Sequence, residues 1–196
     1  TLDTHDGLGV VDVADLMSQE DIDRTLEGLY EKGSNIKRIY SGEAYQNLDI
    51  YQVNCTYYSA LENNADSYLA ARAIQFFCPG IPQVYYVGLL AGSNDIELVE
   101  RTKNGRDINR HGYDLDEIEQ EMQRPVVQRL LRLMTFRSYY PAFNGEFKIE
   151  ATPENQVGLT WRKGKFLTTL HVDLNTYATR ITYYDPTVDA TKALAV

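Results

Sequence analysis

Apolar residues recur at helical spacing in several stretches of the chain, and the spacing predicts three main helices. The first begins after Ser18, with acidic residues in its first turn, and Gly33 is a plausible end. The second begins at Asn64 or Asp66, and the third begins at Pro125 and ends near Arg137. Two shorter helices are expected around 96–100 and 113–122.

The stretch from Arg72 to Gly88 organises the rest of the prediction. Pro79-Gly80 stops the second helix, because proline cannot continue a helix and glycine tolerates the turn. Val84-Tyr85-Tyr86-Val87 follows without polar alternation, which predicts a strand buried on both faces. A helix followed by a buried strand is half of an α/β unit, and in such units the functional residues lie just after the C-terminal ends of the strands. The segment after Gly88 is therefore the first place to look for a site.

From Gly145 the period of the apolar positions changes from helical to two. Runs centred on Ile149, Leu159, Leu170 and Ile181 alternate between apolar and polar residues, and Lys163-Gly164 lies between two of them. This pattern predicts a small antiparallel β module, with a domain boundary near Asn144-Gly145.

Composition limits the function classes. The chain has 196 residues, 43% of them hydrophobic, and a net charge of −9 with no basic cluster. These values argue against disorder and against a nucleic-acid partner. No apolar run approaches membrane-spanning length, and the two cysteines, Cys55 and Cys78, are expected to be free thiols of a cytoplasmic protein. The chain opens at Thr1 without a methionine, which agrees with its being a fragment.

Candidate chemistry lies in three polar segments. Thr4-His5-Asp6-Gly7 is on its own most simply a turn, and Asp12 stands where a dinucleotide fingerprint needs its third glycine. The alternating run 47–54 is either an edge strand or a loop that presents Asp, Tyr and Gln to a sugar. The run 104–111 is either a salt-bridged surface loop or a site. The three histidines are too scattered for a metal site that the sequence alone could reveal.

These segments resemble a known family. The passage from Ala73 to Tyr86 resembles the eighth helix-to-strand passage of the α-amylase superfamily, and Thr-His-Asp-Gly at 4–7 resembles the end of its seventh barrel strand. Asn-Leu-Asp-Ile-Tyr-Gln-Val-Asn at 47–54 and Gly-Arg-Asp-Ile-Asn-Arg-His at 105–111 are similar to the sucrose phosphorylase branch. The resemblance implies an α/β fold. Residues 1–144 would be the C-terminal part of a (β/α)₈ TIM barrel, and residues 145–196 would be an antiparallel β domain.

The resemblance also implies roles for individual residues. Asp6 would be the carboxylate that stabilises the transition state, while His5 and Arg106 would bind the same glucosyl unit. Asp49 and Gln52 would face the fructosyl acceptor, and Tyr51 would lie where phosphate enters.

The implied reaction is phosphorolysis of sucrose by retaining double displacement, which gives α-glucose 1-phosphate and fructose. Sucrose, inorganic phosphate and glucose 1-phosphate would be the ligands, with no metal or organic cofactor, and the enzyme could be a homodimer. The family's nucleophile and acid/base lie upstream of the matched motifs. The isolated chain is therefore expected to be inactive and to fold poorly.

Two other functions remain open. A relative could act on sucrose 6-phosphate or glucosylglycerate, or could hydrolyse α-glucosides, with the same His5, Asp6 and Arg106. A non-enzymatic carbohydrate-binding module ranks last, because it would not need the motifs at 4–7 and 105–106. Gly112 and Cys55 depart mildly from the family pattern, outside every assigned role.

Overall fold

The computed structural model describes residues 1–9, 13, 16–33 and 52–196. The described α-helices are α1 (Gln19–Glu31), α2 (Tyr57–Ala60), α3 (Ala65–Phe77), α4 (Tyr86–Leu89), α5 (Ile96–Thr102), α6 (Leu115–Glu121) and α7 (Pro125–Tyr139). The described strands are β1 (Leu8–Gly9), β2 (Gln52–Val53), β3 (Glu146–Ile149), β4 (Gln156–Lys163), β5 (Phe166–Asp173), β6 (Thr179–Asp185) and β7 (Ala190–Leu194). The protein is thus a mixed α/β structure.

The three main helices are confirmed where the sequence predicts them. The Ser18 side chain caps α1 by accepting a hydrogen bond from Asp21 N, and Gly33 beyond its end has a positive φ of 77°. Helix α3 ends at Phe77, two residues before Pro79, and Gly80 has a φ of 115°. Helix α7 begins at Pro125 and extends to Tyr139, two residues beyond the predicted end.

The β module is confirmed as a five-stranded antiparallel sheet in the order β3-β4-β5-β6-β7. The turn between β4 and β5 is formed by Gly164 and Lys165, and Gly164 has the positive φ that such turns favour. Helix α3 packs against α7 and against β4, β5 and β6. The apolar residues that these elements bury include Leu69, Phe76, Val127, Leu130, Leu133, Leu159, Trp161, Leu170 and Ile181.

The buried strand predicted at 84–87 is wrong. Residues 81–85 form no regular element, and Tyr86 begins the short helix α4. A buried strand needs neighbouring strands to bond its backbone N–H and C=O groups. In the part of the chain that the structure describes, the sheets contain only β1 with β2 and β3 with β4 to β7, so nothing pairs with this segment.

The edge strand considered at 47–54 is present where the structure describes it. Strand β2 is antiparallel to β1, with Leu8 opposite Val53 and Gly9 opposite Gln52. Leu8 packs with Leu26 and Leu29 of α1 around Val53, Cys55 and Ala60. Residues 34–51, which include the first part of the run 47–54, lie outside the described residues.

The chain divides into two compact units. The first unit contains residues 1–64 and 83–122, and the second contains residues 65–82 and 123–196. These units do not follow the predicted domain boundary near Asn144-Gly145, which stays a prediction. No helix among the described residues is both long and apolar enough to cross a bilayer.

Candidate active site on the Thr4–Gly7 turn

A tight turn at the start of the first unit presents His5 and Asp6. Thr4 and Gly7 exchange backbone hydrogen bonds of 3.3 and 3.1 Å, and Thr4 Oγ1 accepts a third from Asp6 N at 3.1 Å. Gly7 has a φ of 95°, and a Cβ atom there would lie 2.1 Å from the carbonyl oxygen of Val53. The turn therefore requires glycine at this position, both for its backbone conformation and for the close approach of β2.

The Asp6 carboxylate lies among three basic side chains. Its Oδ1 is 3.5 Å from Arg106 Nη1 and 3.4 Å from Arg110 Nη2, while His5 Nε2 lies 3.3 Å from Oδ2. The side chains of Asp6, Arg106 and Arg110 are each about one-third exposed, and that of His5 is mostly exposed. This cluster, which we call the Asp6 cluster, can therefore offer a carboxylate and guanidinium donors to a polar ligand at the surface of the unit.

Both arginines come from one short segment of the chain. Residues Gly105–Asn109 form a 3₁₀ helix, which Asn104 caps by accepting a hydrogen bond from Arg106 N at 3.2 Å. Ile108 is buried, and its carbonyl accepts a 2.7 Å hydrogen bond from Asp95 N at the start of α5. The cap and the buried isoleucine together fix the segment that carries Arg106 and Arg110.

His111 follows this segment but does not join the Asp6 cluster. Its Nδ1 lies 2.6 Å from Asp95 Oδ2 and its Nε2 lies 2.8 Å from Glu117 Oε1. Burial alone would lower the pKa of His111, but the hydrogen bonds to Asp95 and Glu117 outweigh burial and raise that pKa above its ordinary value. His111 thus links the cap of α5 to α6, and Arg106 and Arg110 pair with Asp6, as a salt-bridged loop requires. The interpretation of the 104–111 run as a site stays a prediction.

An open cavity of about 400 Å³ borders His5. Its lining residues are Thr1, Asp3, Thr4, His5, Gln83, Val84 and Tyr85. Partial burial is the main cause that raises the pKa of Tyr85, so its phenol is a neutral donor at ordinary pH. The volume falls within the range of small-molecule sites. In the described residues, no group of three His, Cys, Asp or Glu side chains is placed to hold a metal ion.

The structure brings together three of the six residues that the sequence singles out, namely His5, Asp6 and Arg106. Gln52 lies on β2, two positions before an asparagine that contacts the turn. Asp49 and Tyr51 lie outside the described residues.

Sequence reasoning gave no individual role to Arg110, Asn109 or Asn54, which the structure places in contact with the turn. Asn109 and Arg110 stand in the polar run 104–111, and Arg110 repeats the residue type of Arg106 four positions later. That repeat was a signal for Arg110. Nothing in the sequence marked Asn54 for contact with a turn 48 residues away.

Known proteins resemble the chain over nearly its whole length, although no family model matches it. It is 50% identical over 98% of its length to a sucrose 6(F)-phosphate phosphorylase of Thermoanaerobacterium thermosaccharolyticum. It is 48% identical to a glucosylglycerol phosphorylase of Marinobacter adhaerens and 48% identical to a sucrose phosphorylase of Streptococcus mutans. The chain spans about 40% of the length of each of these relatives.

A solved structure gives the same relationship. The crystal structure of sucrose 6F-phosphate phosphorylase from Thermoanaerobacter thermosaccharolyticum matches all of this chain and 39% of that protein, with a TM-score of 0.90 and 49% identity. The sequence comparison and the structure comparison thus point to the same family of proteins. The chain therefore belongs to the sucrose phosphorylase family and corresponds to about 40% of the length of those enzymes.

Proposed function

We propose that the chain is the C-terminal part of a glucosyl-transferring phosphorylase. It would supply the C-terminal part of a (β/α)₈ barrel and the C-terminal β domain. The main support for this proposal is the Asp6 cluster, in which a carboxylate on a tight turn lies within 3.5 Å of a histidine and two arginines. The similarity to phosphorylases over the same residues supports this proposal.

Three residues of the cluster bind the glucosyl unit in the proposed reaction. Asp6 accepts hydrogen bonds from two sugar hydroxyls and stabilises the positive charge that develops on the glucosyl carbon. His5 and Arg106 donate hydrogen bonds to the hydroxyls of the same glucosyl unit. A guanidinium suits this task because its fixed, planar donors can bind a carboxylate and a ligand oxygen together.

The reaction is the phosphorolysis of sucrose by double displacement. A carboxylate outside this chain attacks the glucosyl carbon while an acid, also outside it, protonates the departing fructose. Phosphate then displaces the carboxylate and leaves as α-glucose 1-phosphate, so the anomeric configuration is retained. Neither of these two carboxyl groups is assigned to a residue of this chain, so the isolated chain would be inactive.

The acceptor is the least determined part of the proposal. The relatives that are 48–50% identical are named for sucrose, sucrose 6(F)-phosphate and glucosylglycerol. Asp49, Tyr51 and Gln52 would contact the acceptor or phosphate, and these contacts would decide among the substrates. We rank sucrose first because the 47–54 and 105–111 runs resemble the sucrose phosphorylase branch. The second candidate is a related phosphorylase that acts on sucrose 6-phosphate or glucosylglycerate, or an α-glucoside hydrolase of the same superfamily.

The test uses the chain joined to its native upstream sequence, which we call the completed enzyme. It should release fructose from sucrose only when phosphate is present. Asp6→Asn should lower kcat at least about 100-fold, because the amide cannot stabilise the developing positive charge as a carboxylate does. Asp116→Asn, at an exposed position of α6, is the matched control and should retain full activity.

Three results would count against the proposal. Normal turnover in Asp6→Asn would contradict the role of the carboxylate. Fructose release without phosphate would favour the hydrolase. Higher kcat/KM for sucrose 6-phosphate or glucosylglycerol than for sucrose would move the chain to the corresponding branch, with the Asp6 cluster unchanged.

A further inference from the structure

Three side chains from outside the Thr4–Gly7 turn hold its backbone, one at each of three successive carbonyl groups. Asn109 Nδ2 donates to Thr4 O at 2.9 Å, Arg110 Nε donates to His5 O at 2.9 Å, and Asn54 Nδ2 donates to Asp6 O at 2.8 Å. The backbone of the turn sets the direction of the Asp6 side chain. Each of these three carbonyl groups accepts a hydrogen bond from a side chain outside the turn.

The two asparagines are buried at a cost to stability. Asn54 is fully buried and Asn109 is 1% exposed. The Oδ1 atom of each is also buried and has no hydrogen-bond partner among the described residues. A buried acceptor without a hydrogen-bond partner lowers the stability of the fold, so packing alone would favour an apolar residue at either position. The presence of asparagine at both positions is better explained by the hydrogen bonds that the two amide groups donate to the turn.

Arg110 connects the backbone of the turn to the carboxylate that the turn carries. Its Nε holds the His5 carbonyl while its Nη2 lies 3.4 Å from Asp6 Oδ1. Both donors belong to one planar group, so the carboxylate and the backbone are fixed relative to one another. A lysine has one donor atom at the end of a flexible stem and could not hold both acceptors in this way.

We propose that Asn54, Asn109 and Arg110 are positioning residues that aim the Asp6 carboxylate at the substrate. This inference rests on the proposed function of Asp6 and names the residues on which its orientation depends. The donors come from two distant segments, just after β2 and at the end of the 3₁₀ helix. The turn alone therefore does not set the direction of Asp6.

The decisive variants are Arg110→Lys and Arg110→Gln in the completed enzyme. Both should lower kcat by up to about 100-fold, as expected when a reacting group is displaced by about 1 Å. The KM for sucrose should change by less than about threefold and the melting temperature should stay unchanged, because Arg110 is part-exposed. Arg101→Gln removes the same charge from an exposed position of α5 and is the matched control with unchanged kcat.

The lysine variant separates positioning from charge. If a positive charge near Asp6 were sufficient, Arg110→Lys would recover the wild-type kcat, and the positioning role would be overturned. Equal losses in Arg110→Gln and Arg101→Gln, or losses that follow a lowered melting temperature, would also overturn it.

Asn109→Leu and Asn54→Leu extend the test to the buried amides. Each keeps the branched shape of the side chain and removes the donor, so kcat should fall in a variant that folds. If either variant fails to fold, the Arg110 pair still decides the question. Failure of the proposed function has a different signature, because the wild-type completed enzyme would then show no phosphorolysis or would be insensitive to Asp6→Asn.

Discussion

At the scale of single residues, Gly7 shows most directly how sequence and structure combine. Its φ of 95° and the 2.1 Å that would separate an added Cβ from Val53 O both exclude a side chain. The sequence shows an Asp-Gly turn but does not show that β2 passes against it. The requirement for glycine therefore has a local cause and a tertiary cause.

Gly7→Ala should destabilise the completed enzyme by roughly 2 kcal/mol or more, because the turn must change its conformation or move away from β2. The measurement is the free energy of unfolding in urea. Gly28→Ala is the control, since an added Cβ in the middle of α1 meets nothing within 4 Å. It should instead stabilise the protein by about 0.5–1 kcal/mol, because glycine is a poor helix former. The same sign for both variants would contradict this account.

His111 should make the stability of the first unit depend on pH. Burial acts to lower its pKa in the folded protein, but the hydrogen bonds to Asp95 and Glu117 raise that pKa above its ordinary value. The Tyr113 ring packs against the imidazole, and the Tyr86 hydroxyl donates to the His111 carbonyl. The protonated form is therefore favoured by folding. The resulting stabilisation is fully present below the unfolded pKa of about 6.5 and is lost as pH rises through the folded pKa.

The expected result is weaker protection of α5 and α6 from hydrogen exchange at pH 8 than at pH 6, after correction for the intrinsic rate. His111→Gln keeps a hydrogen-bonding side chain without the titration and should remove this difference. An NMR titration of the His111 ring gives the folded pKa directly. A value at or below about 6.5 would show that burial outweighs the two carboxylates.

At the scale of elements, the long amphipathic helices and the sheet follow the sequence pattern, whereas the segment 84–87 does not. The helices need only their own backbone hydrogen bonds and one apolar face. Strands β3 to β7 follow one another through short connections, so their partners lie close in the sequence. A buried central strand needs partner strands from other parts of the chain. The described sheets contain no partner strand for residues 84–87, and helix α4 begins there at Tyr86.

A buried hydrogen bond ties β4 to the end of α3 within the second unit. Trp161 on β4 is buried, and its Nε1 donates to the carbonyl of Phe77 at 2.7 Å. Trp161→Phe should cost about 1–3 kcal/mol, because it leaves a buried carbonyl without its donor and reduces the buried area. Chemical unfolding of the completed enzyme measures this loss of stability.

The control is His171→Gln, at an exposed position of β5, which should change the free energy of unfolding by less than about 0.5 kcal/mol. A comparable loss in the control would show that the Trp161 hydrogen bond is not the cause.

At the scale of the whole molecule, the chain contains two compact units and about 40% of the length of its relatives. The resemblance that the sequence carries identifies the family, because its motifs at 4–7, 47–54 and 105–111 are read directly from residue order. The structure adds that the first and third of these motifs meet at Asp6. It also divides the chain within the predicted barrel part, since residues 65–82 group with the sheet.

The sequence by itself determined the family, the positions of α1, α3 and α7, and the antiparallel sheet. These features depend on local periodicity and on motifs that are continuous along the chain. Only the tertiary structure decided that Arg110 and Asn109 hold a turn 105 residues away and that α4 replaces a strand. The physical reason is that a polar side chain has the same local pattern whether it faces water or a distant carbonyl. Its partner is chosen by the packing of segments that are remote in sequence.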